Sequence, residues 1–310
     1  MTLETRALGR TGAKVTVLAY GAMELRGTRG APAITEAEAG RLLNAVLDGG
    51  INLIDTSIDY GRSEQLIGRY LAHRRDEYFL ASKCGCPPRQ WWQRLRPRRT
   101  LRRPHDYRLV NIRAGVEQSL RRLGTDRLDL VQVHMSPSRS RLEADRTIET
   151  LTTLQDEGKV RFIGMSGTLP HLADHIAMGV FDVFQIPYSA VQREHEDLIT
   201  AAAEAGAGTL IRGGVARGGS AKGWHSGLFD QPTGEGRRRW EEAGLGDLLD
   251  GMSPQEFMLR FTLSHPGLSA TIVGTAQLSH LDANLAMAAN GPLPADLYQE
   301  ARRRLTRAAG

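Results

Sequence analysis

Short apolar runs alternate along this chain with longer stretches whose apolar positions recur every three or four residues. The first pattern is that of a strand buried on both faces, the second that of an amphipathic helix. Strands are expected at residues 15–19, 51–56, 78–82, 128–133, 160–165, 183–187, 209–212 and 270–273. Helices are expected between them at 35–48, 63–73, 109–122, 143–157, 170–178, 194–205 and 277–289, with another opened by Ser253-Pro254 and a terminal one near Leu293. Thr35 with Glu38 has the spacing of a capping box, and Gly49-Gly50 stops that helix. Ahead of the first strand, the turn Leu8-Gly9-Arg10-Thr11-Gly12 reads as a hairpin.

Eight strand–helix units follow one another without a break in composition. Strands that alternate with helices form a parallel sheet, and eight such units close it. The expectation is therefore one domain over residues 1–310, an α/β (β/α)8 TIM barrel with an N-terminal hairpin and a C-terminal helix. No Gly-x-Gly-x-x-Gly follows the first strand, which argues against an open dinucleotide-binding sheet. Two stretches fall outside the rhythm. Residues 86–108 form an Arg- and Trp-rich insertion after the third strand, and residues 213–251 form a long Gly-rich connection after the seventh.

Composition changes this picture little. The formal charge of +5 is modest, and much of it sits in the arginine cluster of 86–108. No apolar stretch approaches the roughly 18 residues of a membrane span. The polar start Met1-Thr2-Leu3-Glu4 carries no apolar signal region, so a cytoplasmic location is expected. Cys84 and Cys86 are too few for a disulfide framework, and Cys-x-Cys alone supplies too few ligands for structural zinc. His171 and His175 lie four apart on an expected helix but lack a His-Glu-x-x-His arrangement, so they read as a solvated face. His195 and His265 read as surface or helix-end residues. No metal is expected.

Four residues carry candidate chemistry. Asp55, Tyr60, Lys83 and His134 each lie at or just past the end of an apolar run, where a parallel barrel places its active site. A free phenol titrates near pH ~10 and is a weak acid at neutrality. An ammonium beside it favours the phenolate, so Lys83 is expected to lower the pKa of Tyr60. Asp55 would hold Lys83 charged, and His134 would orient a carbonyl oxygen between itself and the Tyr60 hydroxyl.

These residues sit in recognisable phrases: Leu8-Gly-Arg-Thr-Gly-Ala-Lys-Val15, Asp55-Thr-Ser-Ile-Asp-Tyr-Gly-Arg-Ser-Glu64, Ala81-Ser-Lys-Cys-Gly85, Val131-Gln-Val-His134 and Arg121-Arg-Leu-Gly-Thr-Asp-Arg-Leu-Asp-Leu130. Over nearly its whole length the chain resembles the aldo-keto reductase superfamily. The resemblance implies NAD(P)H-dependent reduction of an aldehyde or ketone to an alcohol, with Tyr60 as proton donor. It places Gly21, Met23 and Asp55 beside the nicotinamide, and Ser166 and Gln185 on its carboxamide. Gly167 stands where the family usually has Asn. Arg212 takes the position of a stacking aromatic residue, which a flat guanidinium can replace. Gly213, Val215 and Arg217 fall in the diphosphate loop, and Gly274, Thr275, Gln277, His280 and Asn284 at the adenosine end. The implied cofactor is NADP(H). NAD(H) stays open, because Gly274, Ala276 and His280 stand where NADPH users often carry Lys or Arg.

The insertion holds Trp91, Trp92, His105 and eight arginines. It reads either as a solvated loop or as a lid over substrate; nucleic-acid binding is the least favoured reading. Trp224 is a second candidate for substrate contact. The expected partner is a small-molecule carbonyl or alcohol, with neither nucleic acid nor membrane, and oligomeric state is not legible. Two other readings compete. One is a nicotinamide-nucleotide sensor with a vestigial redox site, suggested by Gly167 and Arg212. The other is a metal-dependent barrel hydrolase, which would need a His-x-His pair at a strand end that is not present.

Overall fold

The computed structural model describes residues 2–26, 34–87, 105–215 and 233–309. Strands β1 (Thr5–Ala7) and β2 (Lys14–Thr16) pair antiparallel as a hairpin. The barrel strands follow: β3 (Leu18–Gly21), β4 (Leu53–Asp55), β5 (Phe79–Cys84), β6 (Leu128–Val133), β7 (Val160–Ser166), β8 (Val183–Pro187), β9 (Gly208–Arg212) and β10 (Ala270–Val273). They close in sequence order, β10 pairing parallel with both β9 and β3. Around them lie α1 (Glu36–Asp48), α2 (Ser63–Leu71), α3 (Leu109–Leu123), α4 (Arg139–Ala144), α5 (Thr147–Asp156), α6 (Leu172–Ala177), α7 (Glu196–Glu204), α8 (Thr233–Glu242), α9 (Pro254–Leu263), α10 (Leu278–Ala289) and α11 (Ala295–Ala309). The closed parallel barrel, the N-terminal hairpin and the C-terminal helix agree with the sequence reading.

Local signals act as expected in α1, where Thr35 and Glu38 make both hydrogen bonds of a capping box, and in α9, where Ser253 caps and Pro254 leads. Four expectations need correction. The expected strand 15–19 is split: Thr16 ends β2, Val17 is a pivot, and β3 begins at Leu18. The expected helix 143–157 breaks in two, because Arg146 adopts a left-handed φ of 52° between α4 and α5. The connection 213–251 carries α8 and a 3-10 turn at Leu245–Leu248. Finally, His175, His195 and His265 are buried. The His175 ring bonds the Pro137 carbonyl, His195 Nε2 accepts from the Leu169 amide, and His265 Nδ1 accepts from the Gly267 amide.

Two apolar layers result. A large one lies between the barrel and its helices. A small one fills the lumen with Ala19, Leu53, Phe79, Ala81, Leu130, Val183, Leu210 and Ala270, and the hairpin's Leu8 and Val15 join it from below. The hairpin is pressed tightly against the barrel rim. Gly9 sits at φ 51°, and a Cβ there would lie 2.1 Å from the Gly208 amide nitrogen, so only glycine fits. The N-terminal end of the barrel is thereby stoppered with side chains.

Candidate active site

Side chains on a strand alternate faces, so the residue two beyond a lumen-facing one faces the lumen again. Applied to the apolar floor, this rule places a polar ring one layer higher. Leu53 leads to Asp55, Ala81 to Lys83, Leu130 to Gln132, Val183 to Gln185 and Leu210 to Arg212. The same step takes Phe162 through Gly164 to Ser166 on β7. The register supports the ring: Gly21 lies beside Asp55, Lys83 beside Gln132, and Ser166 beside Gln185.

The centre of the ring is an ion pair. Lys83 Nζ donates to Asp55 Oδ2 at 2.6 Å and to the Thr56 carbonyl at 2.9 Å, and both side chains are almost fully buried. Gln132 Nε2 donates to the other Asp55 oxygen at 2.8 Å. A buried pair is stable only when its remaining hydrogen-bonding capacity is met, and Gln132 meets it for Asp55. The sequence reading overlooked Gln132, although the alternation Leu130–Gln132 on β6 points to it. Burial works against the charge on Lys83, but Asp55 and Tyr60 outweigh it, so its pKa is raised.

Tyr60 comes from the loop after β4. That loop is shaped by the Tyr60 amide on the Ser57 carbonyl (3.0 Å), a Thr56–Ser63 hydroxyl pair (2.8 Å) and Arg122 on the Ile58 carbonyl (3.1 Å). The Tyr60 ring lies with its centroid 5.0 Å from Lys83 Nζ. The expected lowering of its pKa is not found. Burial is the largest influence and exceeds the opposing pull of Lys83, while Asp55 and Asp59 push the same way as burial, so the pKa is raised. In this arrangement Lys83 offsets a shift instead of creating one. Tyr60 therefore holds its proton at neutral pH.

His134 follows β6 directly, and its amide bonds the Cys84 carbonyl at 3.1 Å. Burial and the nearby Lys83 charge push its pKa down to about 3, so the ring is neutral. Its Nδ1 lies 3.0 Å from Cys86 Sγ, and the same sulfur lies 3.3 Å from His105 Nε2. Burial pushes the Cys86 thiol up, with Asp59 adding to the shift. A protonated thiol has one hydrogen to give. Donated to His134 Nδ1, it leaves the ring proton on Nε2, an assignment made from the hydrogen-bond pattern. Spacing alone gave Cys86 too few companions; the fold adds two imidazoles.

The residues expected to hold a nicotinamide converge on the same end of the barrel. Gly21 ends β3, and Met23 lies in the 3-10 turn Ala22–Arg26. Ser166 Oγ donates to Gln185 Oε1 at 3.2 Å, and Gln185 Nε2 is buried without a hydrogen-bond partner among the described residues. A buried amide in that state fits a missing acceptor such as a carboxamide oxygen. Gly167 has no room for a larger residue without movement, since a Cβ would lie 2.7 Å from Leu172 Cδ1. Arg212 ends β9, with Gly213, Gly214 and Val215 next. A Cβ on Gly214 would lie 2.5 Å from Thr271 Oγ1, so the backbone there packs at glycine-only distance. Thr275 is buried, with its carbonyl accepting from Tyr20 at 2.8 Å and its hydroxyl accepting from the Gln277 amide at 3.0 Å. Gly274, Gln277 and His280 are exposed and Asn284 is half-buried. Arg217, Trp91, Trp92 and Trp224 lie outside the described residues.

Comparison with known proteins agrees with this fold. The model of the Aldo/keto reductase family matches residues 17–303. An L-galactose dehydrogenase of Arabidopsis thaliana is 27% identical over 303 residues, covering 92% of this chain and 88% of that protein. An NADH-specific methylglyoxal reductase of Escherichia coli is 30% identical over 165 residues, covering 48% of this chain and 47% of its own. Among solved structures, an aldo-keto reductase from Bacillus halodurans in its holo form superposes with a TM-score of 0.82 at 26% identity, covering 97% of this chain and 96% of its own.

Proposed function

Because this chain belongs to the aldo/keto reductase family, and is thus a nicotinamide-dependent oxidoreductase, we propose that it reduces an aldehyde or ketone to an alcohol with Tyr60 as proton donor. The observation that carries the reading is the buried Asp55–Lys83 pair beside the Tyr60 ring. A reduced nicotinamide, when bound, supplies a hydride to the carbonyl carbon. Tyr60 gives its proton to the carbonyl oxygen. His134, neutral and with Nδ1 turned to Cys86, offers its Nε2–H to the same oxygen as negative charge develops there. Lys83 stabilises the phenolate left behind, and Asp55 with Gln132 keeps Lys83 in place. Such positioned donors act through geometry first and pKa second.

Gln185 and Ser166 are the proposed holders of the nicotinamide carboxamide, Arg212 the proposed partner of its ring, and Gly213 to Gly218 the proposed diphosphate loop. NADP(H) is the proposed cofactor, with Gln277 and His280 as candidate contacts to its 2′-phosphate. NADH use is the alternative, and the Escherichia coli relative is named for it. Trp91, Trp92 and Trp224 are proposed substrate contacts, and the substrate is a small carbonyl or alcohol.

The test is Tyr60→Phe assayed against a panel of aldehydes and ketones, with NADPH and NADH each titrated by fluorescence. Carbonyl reduction should fall roughly 100- to 10,000-fold while nucleotide affinity holds. Full activity in the variant removes Tyr60 from the role. Tight nucleotide binding by the wild type with no turnover on any carbonyl supports the sensor reading instead.

A further inference from the structure

Cys86, His105 and His134 bring a thiol and two imidazoles together, with all three ligand atoms within 4.8 Å of one another. Carbonyl reduction as proposed uses His134 and its Cys86 partner but gives His105 no part. We propose that these residues form a binding site for a thiophilic divalent cation of the zinc type, and that the bound ion shuts off the reductase because the cluster must open to admit it, which draws the His134 ring, and with it the Nε2–H, away from the carbonyl oxygen. The second half of this proposal rests on the reductase reading; the first does not.

The geometry is close to what the ion needs. Tetrahedral zinc with Zn–S of about 2.3 Å and Zn–N of about 2.05 Å sets sulfur and nitrogen about 3.6 Å apart. The observed separations are 3.0 Å from Cys86 Sγ to His134 Nδ1 and 3.3 Å to His105 Nε2. Opening the cluster by a few tenths of an ångström admits the ion. Cys86 then gives up its thiol proton to solvent and ligates as thiolate. Thiolate with imidazole is a donor set for zinc and its neighbours in softness, not for magnesium or calcium. Three protein ligands leave a fourth position for a water or a substrate oxygen, so the ion can be removed by a chelator.

The three segments that carry the ligands are fastened to one another. The His134 amide bonds the Cys84 carbonyl at 3.1 Å, and the Asp106 amide bonds the Gly85 carbonyl at 2.9 Å. The Tyr107 hydroxyl donates to the His134 carbonyl at 2.7 Å. Gly85 has φ 92°, and a Cβ there would strike the Tyr107 ring at 2.4 Å, so glycine is what lets Tyr107 pass beneath the Cys86 turn. Ligands held in this way lose little further freedom on binding the ion.

The experiment uses the full chain, stripped with a chelator and titrated with Zn2+ and separately with Co2+, a spectroscopic substitute. One equivalent should bind, and the Co2+ form should show a thiolate-to-metal charge-transfer band. Cys86→Ser should abolish that band and His105→Ala should weaken Zn2+ binding at least tenfold, while His171→Ala, at a separate histidine pair, should change neither. Cys84 remains in every variant as the thiol control. Turnover, scored against each variant's own metal-free rate, should fall at least tenfold on loading the wild type and return with chelator. No binding, or a Co2+ spectrum indifferent to Cys86→Ser, overturns the site. A Cys86-dependent band with unchanged turnover overturns the switch. A metal-free protein that reduces no carbonyl fails the reductase reading and leaves the metal titration to be judged by its band.

Discussion

At the scale of single residues, the site is a set of donors and acceptors arranged so that each buried charge is answered. Gln185 leaves a donor over: its Nε2 is buried and without a partner among the described residues, as is Gln132 Oε1, while the Gln185 Oε1 is taken by Ser166. Gln185→Leu should weaken nicotinamide nucleotide binding about tenfold, the size of one lost hydrogen bond, with little change in thermal stability. Fluorescence titration would check this, and a loss of folding without a loss of affinity would contradict it. Lys83→Met should be more damaging, since it leaves Asp55 buried and unpaired. The variant should lose about 3 kcal/mol of stability in urea unfolding as well as its turnover. Asp55, Tyr60, Lys83 and His134 were legible because each stands at the end of an apolar run. The company of Cys86 was not. His105 lies near the far end of the 86–108 insertion, and no local pattern says that its ring returns to the sulfur at the near end. Nor did sequence reveal the sign of the Tyr60 shift, because burial, which decides it, is a property of the packed molecule.

At the scale of elements, seven of the eight barrel strands were located to within about a residue or two at each end, because a barrel strand covered on both faces is a continuous apolar run. The errors fall where that signal has no punctuation. Val15 to Tyr20 is apolar but for Thr16 across the junction of hairpin and barrel, with no glycine or proline at the pivot. Arg146 breaks a helix in a left-handed conformation that side chains other than glycine seldom take. Helix packing offers a test at this level. Gly68 on α2 faces the end of α3, and a Cβ there would lie 2.2 Å from the Arg122 carbonyl oxygen. Since backbone cannot swing aside as a side chain can, Gly68→Ala should force the helices apart and cost about 2 kcal/mol in urea unfolding. Arg122 also holds the Ile58 carbonyl in the Tyr60 loop, so turnover should fall with stability. An unperturbed variant would mean that α2 and α3 shift at no cost.

At the scale of the whole molecule, one carboxylate links the C-terminal helix to α7 and to Tyr188 after β8, beside the apolar contacts of Tyr298, Ala301 and Leu305. Glu196 accepts from the Tyr188 hydroxyl at 2.9 Å and from Arg193 at 2.5 Å, and pairs with Arg302 of α11 at 3.2 Å. Burial would raise its pKa, but Arg193, Tyr188 and Arg302 prevail and lower it from the ordinary 4.5. A carboxyl whose folded pKa is depressed adds stability above its unfolded pKa and loses it as pH falls through the folded one. Glu196→Gln should therefore be less stable than wild type by about 2 kcal/mol near pH ~7. The gap should close in acid below pH 4.5, and urea melts across that range would show it. A gap that persists in acid would assign the loss to packing. The hairpin stopper has a consequence of another kind. With Leu8 and Val15 plugging the lower end, the lumen is closed there. On the proposed function, nucleotide, carbonyl and the proton that recharges Tyr60 would then all come and go from the other end. The ligand seated deeper would arrive first and depart last, so the floor of the barrel, far from the chemistry, would set the order of traffic.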